Sequence, residues 1–283
     1  MSLAFKRIAN ACLNRQLESV KLIVKSEGEK SLFHVDDEMG SCLHIACEVG
    51  DLDLACFLLK AGGPRLLDLE MPDGESCLHL ACRRGHTGIV EMLLDVGSRS
   101  FLEKAIKSDG RTASHIAAEA GKLEVLRILV ATGGPAVLQV AAPDGATPLH
   151  LACHYGHAEA AAFILNSAGR STASAATCDG RTPLLAACAR GHAAAAAALL
   201  AALDESPSER AALLAQRAAA SAGGFAPLHA ACYTGQADLA EALLRAGGAA
   251  ALLLPTADGR TCLQLACGRG HSAVVAALLR HPG

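Results

Sequence analysis

The apolar residues of this chain fall in short stripes, three and four positions apart, and each stripe stops at a glycine before another begins. The fullest instance is residues 144–165, D-G-A-T-P-L-H-L-A-C-H-Y-G-H-A-E-A-A-A-F-I-L. Asp144-Gly145 supplies the left-handed backbone of a tight turn. Thr147 reads as a helix N-cap, with Pro148 at the first helical position, where its missing N–H goes unneeded. Leu149, Ala152 and Cys153 fall at i, i+3 and i+4 on one buried face, and Gly156 offers the left-handed residue that stops the helix. A second helix is predicted from near His157, with Ala160, Ala161, Ile164 and Leu165 on its buried side. The unit is turn, helix, turn, helix.

Near-copies of this unit recur along almost the whole chain. The positions aligned with His150 are Ala9, His44, His79, His115, Leu185, His229 and Gln264, and the successive steps are 35, 35, 36, 35, 35, 44 and 35 residues. Asp144-Gly145, Thr147-Pro148-Leu149-His150, Gly156-His157 and Ile164-Leu165 resemble the ankyrin repeat, whose period is about 33 residues. The two additional residues per unit lie between the second helix and the next turn, as in Gly62-Gly63-Pro64-Arg65-Leu66-Leu67, where a helix stop and a short apolar turn are expected. The resemblance implies an all-α solenoid of stacked helix pairs with β-turn or hairpin connections, a single domain over residues 1–283. Its approximate repeats are 1–36, 37–72, 73–108, 109–143, 144–178, 179–222, 223–257 and 258–283.

Three of these repeats are unusual. Residues 1–36 lack the turn and the Thr-Pro-Leu-His run, and Lys6, Arg7, Asn10, Asn14, Arg15, Glu18 and Lys21 give them the polar surface of a capping repeat. In the truncated last repeat, residues 272–279 are almost all Ala, Val and Leu, so that face is expected to continue into a longer chain or to meet something. The 44-residue step reflects an insertion near 201–222, where Ser206-Pro207-Ser208-Glu209 reads as a capping box opening an extra helix at Pro207. Insertions in repeat arrays gather on one face, often the binding face, though a tolerated surface insertion reads equally well.

Composition narrows the chemistry. Apolar residues make up 52% of the chain and aromatics 3%, so the core must be built from Ala, Leu and Cys. A net charge of −3 gives no electrostatic reason to expect nucleic acid or an anionic membrane, and neither is expected as a partner. Cys12, Cys47, Cys82, Cys153, Cys188, Cys232 and Cys267 share one helix position, which reads as a row of buried small hydrophobes in a reducing compartment, the cytoplasm. The longest apolar run, residues 193–203, is too short to cross a bilayer. Lysine stops at Lys122 and alanine thickens afterwards, a shift for which the sequence offers no physical reason.

Candidate chemistry is sparse. His150, Cys153, His154 and His157 would share a face of one unbroken helix, but Gly156 interrupts it, so no metal site and no cofactor are expected. Ser41 and His44, Ser76 and His79, Thr112 and His115, and Thr147 and His150 each suggest a nucleophile with its base. A pair repeated in four units is better explained as a hydrogen-bonded brace of the turn. No catalytic residues are assigned, and neither an enzyme activity nor a small-molecule substrate is expected.

The resemblance implies a concave surface lined by turns and first helices, whose exposed positions suit a partner. The residues expected to contact a protein or peptide there are Arg83, Arg84, His154, Tyr155, Arg181, Arg190, Phe225, Tyr233, Arg260 and Arg269. Both tyrosines of the chain lie in this set, and Tyr and Arg are enriched at interface hot spots. Phe225 sits at a turn tip, where it either meets a partner or folds back over the insertion. The arginines predict a partner of acidic character toward the C-terminal repeats. The function expected is a non-catalytic protein interaction scaffold. Alternatives are a targeting or regulatory domain of a larger enzyme, channel or acyltransferase, and a metal- or redox-linked Cys/His module.

Overall fold

Each predicted stripe becomes a helix, and the helices come in pairs. A computed structural model describes residues 3–203, 207–247 and 252–280, and the chain divides into two units, Met1–Val137 and Leu138–Gly283. The first unit holds α1 (Leu3–Leu13), α2 (Leu17–Glu27), α3 (Cys42–Val49), α4 (Leu52–Gly62), α5 (Cys77–Arg84), α6 (Thr87–Val96), the short α7 (Arg99–Leu102), α8 (Ala113–Glu119) and α9 (Leu123–Gly133). Within it α1, α3, α5 and α8 pack as a row of first helices, and α4, α6 and α9 as a row of second helices. The second unit holds α10 (Pro148–His154), α11 (Ala158–Ala168), α12 (Pro183–Arg190), α13 (Ala193–Ala202), α14 (Pro207–Ala215), α15 (Pro227–Thr234), α16 (Ala237–Gly247), α17 (Cys262–Arg269) and α18 (Ser272–Leu279). Its rows are α10, α12, α15 and α17, and α11, α13, α16 and α18.

Helices of seven to eleven residues are marginal alone, so their stability comes from the faces they bury. In α10 Leu149, Ala152 and Cys153 are fully buried, and in α11 so are Ala161 and Ile164, with Ala160 and Leu165 close behind. The α13 helix is nearly all alanine and buries Ala195, Ala196, Leu199 and Leu200. Alanine has the highest helix propensity but removes little apolar area from water, so this helix leans more on its backbone and less on burial than its neighbours. Burial also pushes the thiols of Cys82, Cys153 and Cys188 well above the usual cysteine range, which keeps them protonated.

The helix starts are braced as the Ser/Thr and His spacing predicts. The backbone N–H of Thr147 donates to His150 Nδ1 at 3.1 Å, and Thr147 Oγ1 lies 2.9 Å from the same nitrogen. Ser41 and His44, Ser76 and His79, and Thr112 and His115 repeat the arrangement, with hydroxyl to Nδ1 distances of 2.8, 2.9 and 2.9 Å. At the other end, Gly156 takes φ +81°, and a Cβ there would lie 2.6 Å from His192 Nδ1. Glycine is therefore required by both backbone and neighbour.

The short apolar turn expected after Gly62-Gly63 is a 3₁₀ turn at Pro64–Asp68, which buries Leu66 and Leu67, and after α6 the corresponding segment is the four-residue α7. Other details differ from expectation. The hairpin connections reduce to isolated bridges such as Glu70 to Ser76, and no strand forms among the described residues. The extra helix does begin at Pro207 but stops at Ala215, and it packs on α15 and α16. Its expected cap, Ser206, lies outside the described residues. Cys267 is exposed, unlike the six cysteines aligned with it, because it lies on the outer side of the last described helix pair. On that pair Leu279 is 66% exposed. No described helix is long and apolar enough to cross a membrane.

Candidate functional site

Glu75, Arg111 and Phe225, each at a turn tip, meet the residue eight positions later, at the end of the first helix. The two of these in the first unit are ion pairs. Arg83 Nη1 donates to Glu75 Oε2 at 3.1 Å, and its Nη2 donates to Glu75 Oε1. Burial raises the Glu75 carboxyl above its ordinary range, and the Arg83 guanidinium pulls it back only in part. The next repeat reverses the polarity, with Arg111 Nη1 donating to Glu119 Oε2 at 2.8 Å. Arg84 reaches across to the preceding repeat, its Nε 2.8 Å from Glu48 Oε1. Two of the arginines expected to meet a partner thus hold the unit's own acids.

The second unit is built differently at the same positions. Arg181 stands opposite Ala189 and Arg260 opposite Gly268, so neither finds a carboxylate there. Each instead leans on an aspartate of its own turn, Arg181 Nε to Asp179 at 2.8 Å and Arg260 Nε to Asp258 at 2.6 Å. With both members largely exposed, such pairs contribute little and leave the guanidinium available. Between them the pair is aromatic: the Phe225 and Tyr233 rings meet edge to face with centroids 5.6 Å apart. Phe225 therefore packs on Tyr233, and its ring also lies beside Gly223, where an added Cβ would stand 3.5 Å from it. The Arg269 guanidinium lies 3.8 Å above the Tyr233 ring and Arg269 also donates to Tyr233 Oη, so this tyrosine is held from both sides.

These residues surround an open groove of about 790 Å³. Arg181, Phe225, Tyr233 and Arg260 edge it, Leu185, Ala189 and Ala230 line it, and Ala218, Ala220, Ala222 and Gly223 of the inserted region form one wall. Arg269 reaches it through Tyr233. His154 and Tyr155 lie elsewhere, at the end of α10, with ring centroids 5.0 Å apart and Tyr155 45% exposed. Arg190 is exposed at the end of α12. The alanines were the part that sequence reading missed, although a signal exists. Where Ala230 stands, Asn10, Ile45, Leu80, Ile116, Leu151 and Leu265 are larger and Ala186 is the same, and where Ala189 stands, Leu13, Glu48, Arg83, Glu119, His154 and Tyr233 are larger and Gly268 smaller.

The central histidine of the metal candidate is occupied. His150 Nδ1 takes the Thr147 N–H, and its Nε2 sits 3.1 Å from the Arg181 carbonyl oxygen, which leaves neither ring nitrogen for a metal. No group of three or more metal-binding side chains gathers among the described residues. Burial drives His44 and His79 down to about 4, so both are neutral at physiological pH.

Helix pairs of constant period, capped by a Ser/Thr and His brace and joined by short turns, define a helical repeat protein. The family model described as ankyrin repeats (3 copies) matches four overlapping stretches, residues 43–140, 134–211, 172–253 and 201–283. The chain belongs to the ankyrin-repeat family. Among solved structures it is similar to the human ASB11 ankyrin repeat domain, with a TM-score of 0.68 and 24% identity over 85% of this chain and 97% of that one. At that identity the likeness shows the fold alone. No curated protein sequence matches the chain. Ankyrin repeats are generally protein–protein interaction modules, and the fold is typically non-enzymatic.

Proposed function

We propose that the chain is a non-catalytic interaction scaffold that binds a protein or peptide of acidic character on the turns and first helices of its second unit. The observation that carries this reading is an excess of cationic side chains. Along the turns and first helices of residues 177–190 and 223–269, outside the insertion, Arg181, Arg190, Arg260 and Arg269 stand against Asp179 and Asp258. Tyr155 and Tyr233 supply aromatic anchors on the same elements, and Tyr and Arg dominate the energetics of most interfaces. Arg83 and Arg84 contribute less, because their charges are already matched by Glu75 and Glu48. The scaffold acts in the cytoplasm on this reading, where buried thiols such as Cys153 and Cys188 stay reduced.

The test is a double variant, Tyr155→Ala with Arg190→Glu. Both side chains are exposed, so the melting transition should stay within about 0.5 kcal/mol of the parent. A partner recovered with the parent chain should be recovered at a small fraction of that level with the variant. Undiminished recovery by a folded variant sinks the assignment of this face.

A further inference from the structure

Short side chains of two adjoining repeats meet at the groove in the second unit. Ala189 and Ala230 stand where Glu48, Arg83, Glu119 and His154, and Ile45, Leu80, Ile116, Leu151 and Leu265, are larger, while Gly268 and Ala186 at the same positions are as small. The inserted region then adds a wall that the other repeats lack, since Ala218, Ala220, Ala222 and Gly223 border the same space. This wall is fastened to the turns on both sides. Ala219 N–H donates to the Asp179 carbonyl at 2.7 Å, Ala218 N–H donates to the Phe225 carbonyl at 3.0 Å, and Ala257 N–H donates to the Gly223 carbonyl at 3.1 Å. These are the bonds that join successive tips elsewhere in the chain, as Cys178 N–H to the Asp144 carbonyl at 2.8 Å, so the insertion lengthens an ordinary tip at the side of the groove.

Its chemistry is asymmetric. The floor and inserted wall are methyl groups and aliphatic carbon, one edge is the fixed Phe225 and Tyr233 pair with Thr234 beside it, and the two ends carry Arg181 and Arg260, the latter paired to Asp258, which also lines the groove. The tips of three consecutive repeats contribute, at positions 181, 225 and 260, so the groove runs along the repeat direction within this unit. A space lined by three successive tips suits an extended chain better than a compact ligand.

We propose that this groove takes an extended peptide segment in which a bulky apolar side chain, seated over Ala189 and Ala230 against Tyr233, is flanked by carboxylates that meet Arg181 and Arg260. The inference rests on the reading of this face as a partner surface and gives that surface its specificity. Apolar seating supplies the affinity, because it removes both surfaces from water. The arginines supply selection for acidic flanks and speed of encounter, as partly exposed charges do at interface rims.

The experiment is fluorescence anisotropy on the full chain with a panel of labelled Gly/Ser-rich peptides. Each has a central Phe or Leu flanked on both sides by Glu, and controls carry Lys in place of Glu or Ala in place of the central residue. The Glu-flanked peptides should bind saturably and more tightly than about 1 mM. Refilling the groove with residues the chain itself uses at these positions, Ala189→Glu with Ala230→Leu, should weaken binding at least tenfold. Arg181→Ala and Arg260→Ala should each weaken it about fivefold at low salt and less at high salt. These exposed arginines test the proposal even if the refilled chain fails to fold. Equal binding of Lys-flanked peptides, no saturable binding, or unchanged affinity in both the refilled and the arginine variants would overturn it. If partner recovery still depends on Tyr155 and Arg190 while the peptide panel fails, the face stands and the groove does not.

Discussion

In the first unit, turn tip and helix end grip one another, whereas in the second the same two positions stand apart or hold an aromatic pair. The Glu75 to Arg83 and Arg111 to Glu119 contacts close the surface of their repeats and neutralise it. Arg181 faces Ala189 and Arg260 faces Gly268, so charge is left over and space opens between the tips. One backbone geometry therefore gives two kinds of surface. The difference lies in a few side chains that no helix needs for its own stability, which is why a repeat fold can change its binding properties without changing its packing.

The largest expected effect separates the units by their histidine braces. His44 and His79 titrate at about 4 when folded, against 6.5 for an unburied histidine, because burial disfavours the imidazolium. The unfolded chain therefore binds more protons between these values. The stability tied to each histidine is fully present above pH 6.5 and lost as the pH falls toward 4, by about 3 kcal/mol each. The second unit has Leu185 and Gln264 at two of its four equivalent positions. Hydrogen exchange resolved by segment should show α3 and α5 losing protection on acidification before α12 does. His79→Leu, which copies Leu185, should flatten the dependence, and equal acid sensitivity in both units would contradict this account.

The next effect concerns the ion pair itself. Arg83→Ala leaves the nearly buried Glu75 carboxylate without its partner and should cost about 1–3 kcal/mol in denaturant melts. Glu75→Phe with Arg83→Tyr, which transplants the aromatic pair of the second unit, should cost less than the single change, because burial already weighs against the Glu75 charge. A double variant worse than Arg83→Ala would show that the two tips are not interchangeable. The smallest effect is at Ala226, whose N–H still donates to His229 Nδ1 at 3.1 Å but which has no hydroxyl to cap α15. Ala226→Thr should add about 1 kcal/mol, read as a higher denaturation midpoint with unchanged slope.

The repeat period, helix starts and buried stripes were legible in the sequence because each depends on residues a few positions apart. The Thr147 cap, the Gly156 stop and the buried set Ala160, Ala161, Ile164 and Leu165 all follow from local spacing, and the structure keeps each of them. The partners of Arg83 and Arg84 were not legible, since Glu75 and Glu48 come within reach only once a turn has folded back or two repeats have stacked. Phe225 was ambiguous for the same reason, as its contact with Tyr233 needs the tip to close over eight residues. The groove escaped notice because absence of bulk, at Ala189 and Ala230, leaves no motif; only alignment of the repeats with one another exposes it.

The alanines of α13 carry a thermal consequence. Unfolding that helix alone exposes many methyl groups and few larger side chains, and the heat-capacity change of unfolding scales with the apolar area exposed. Its contribution to the free energy therefore curves gently as the solution is cooled or warmed, while a helix such as α4, which buries Leu54, Leu58 and Leu59, follows a steeper dome.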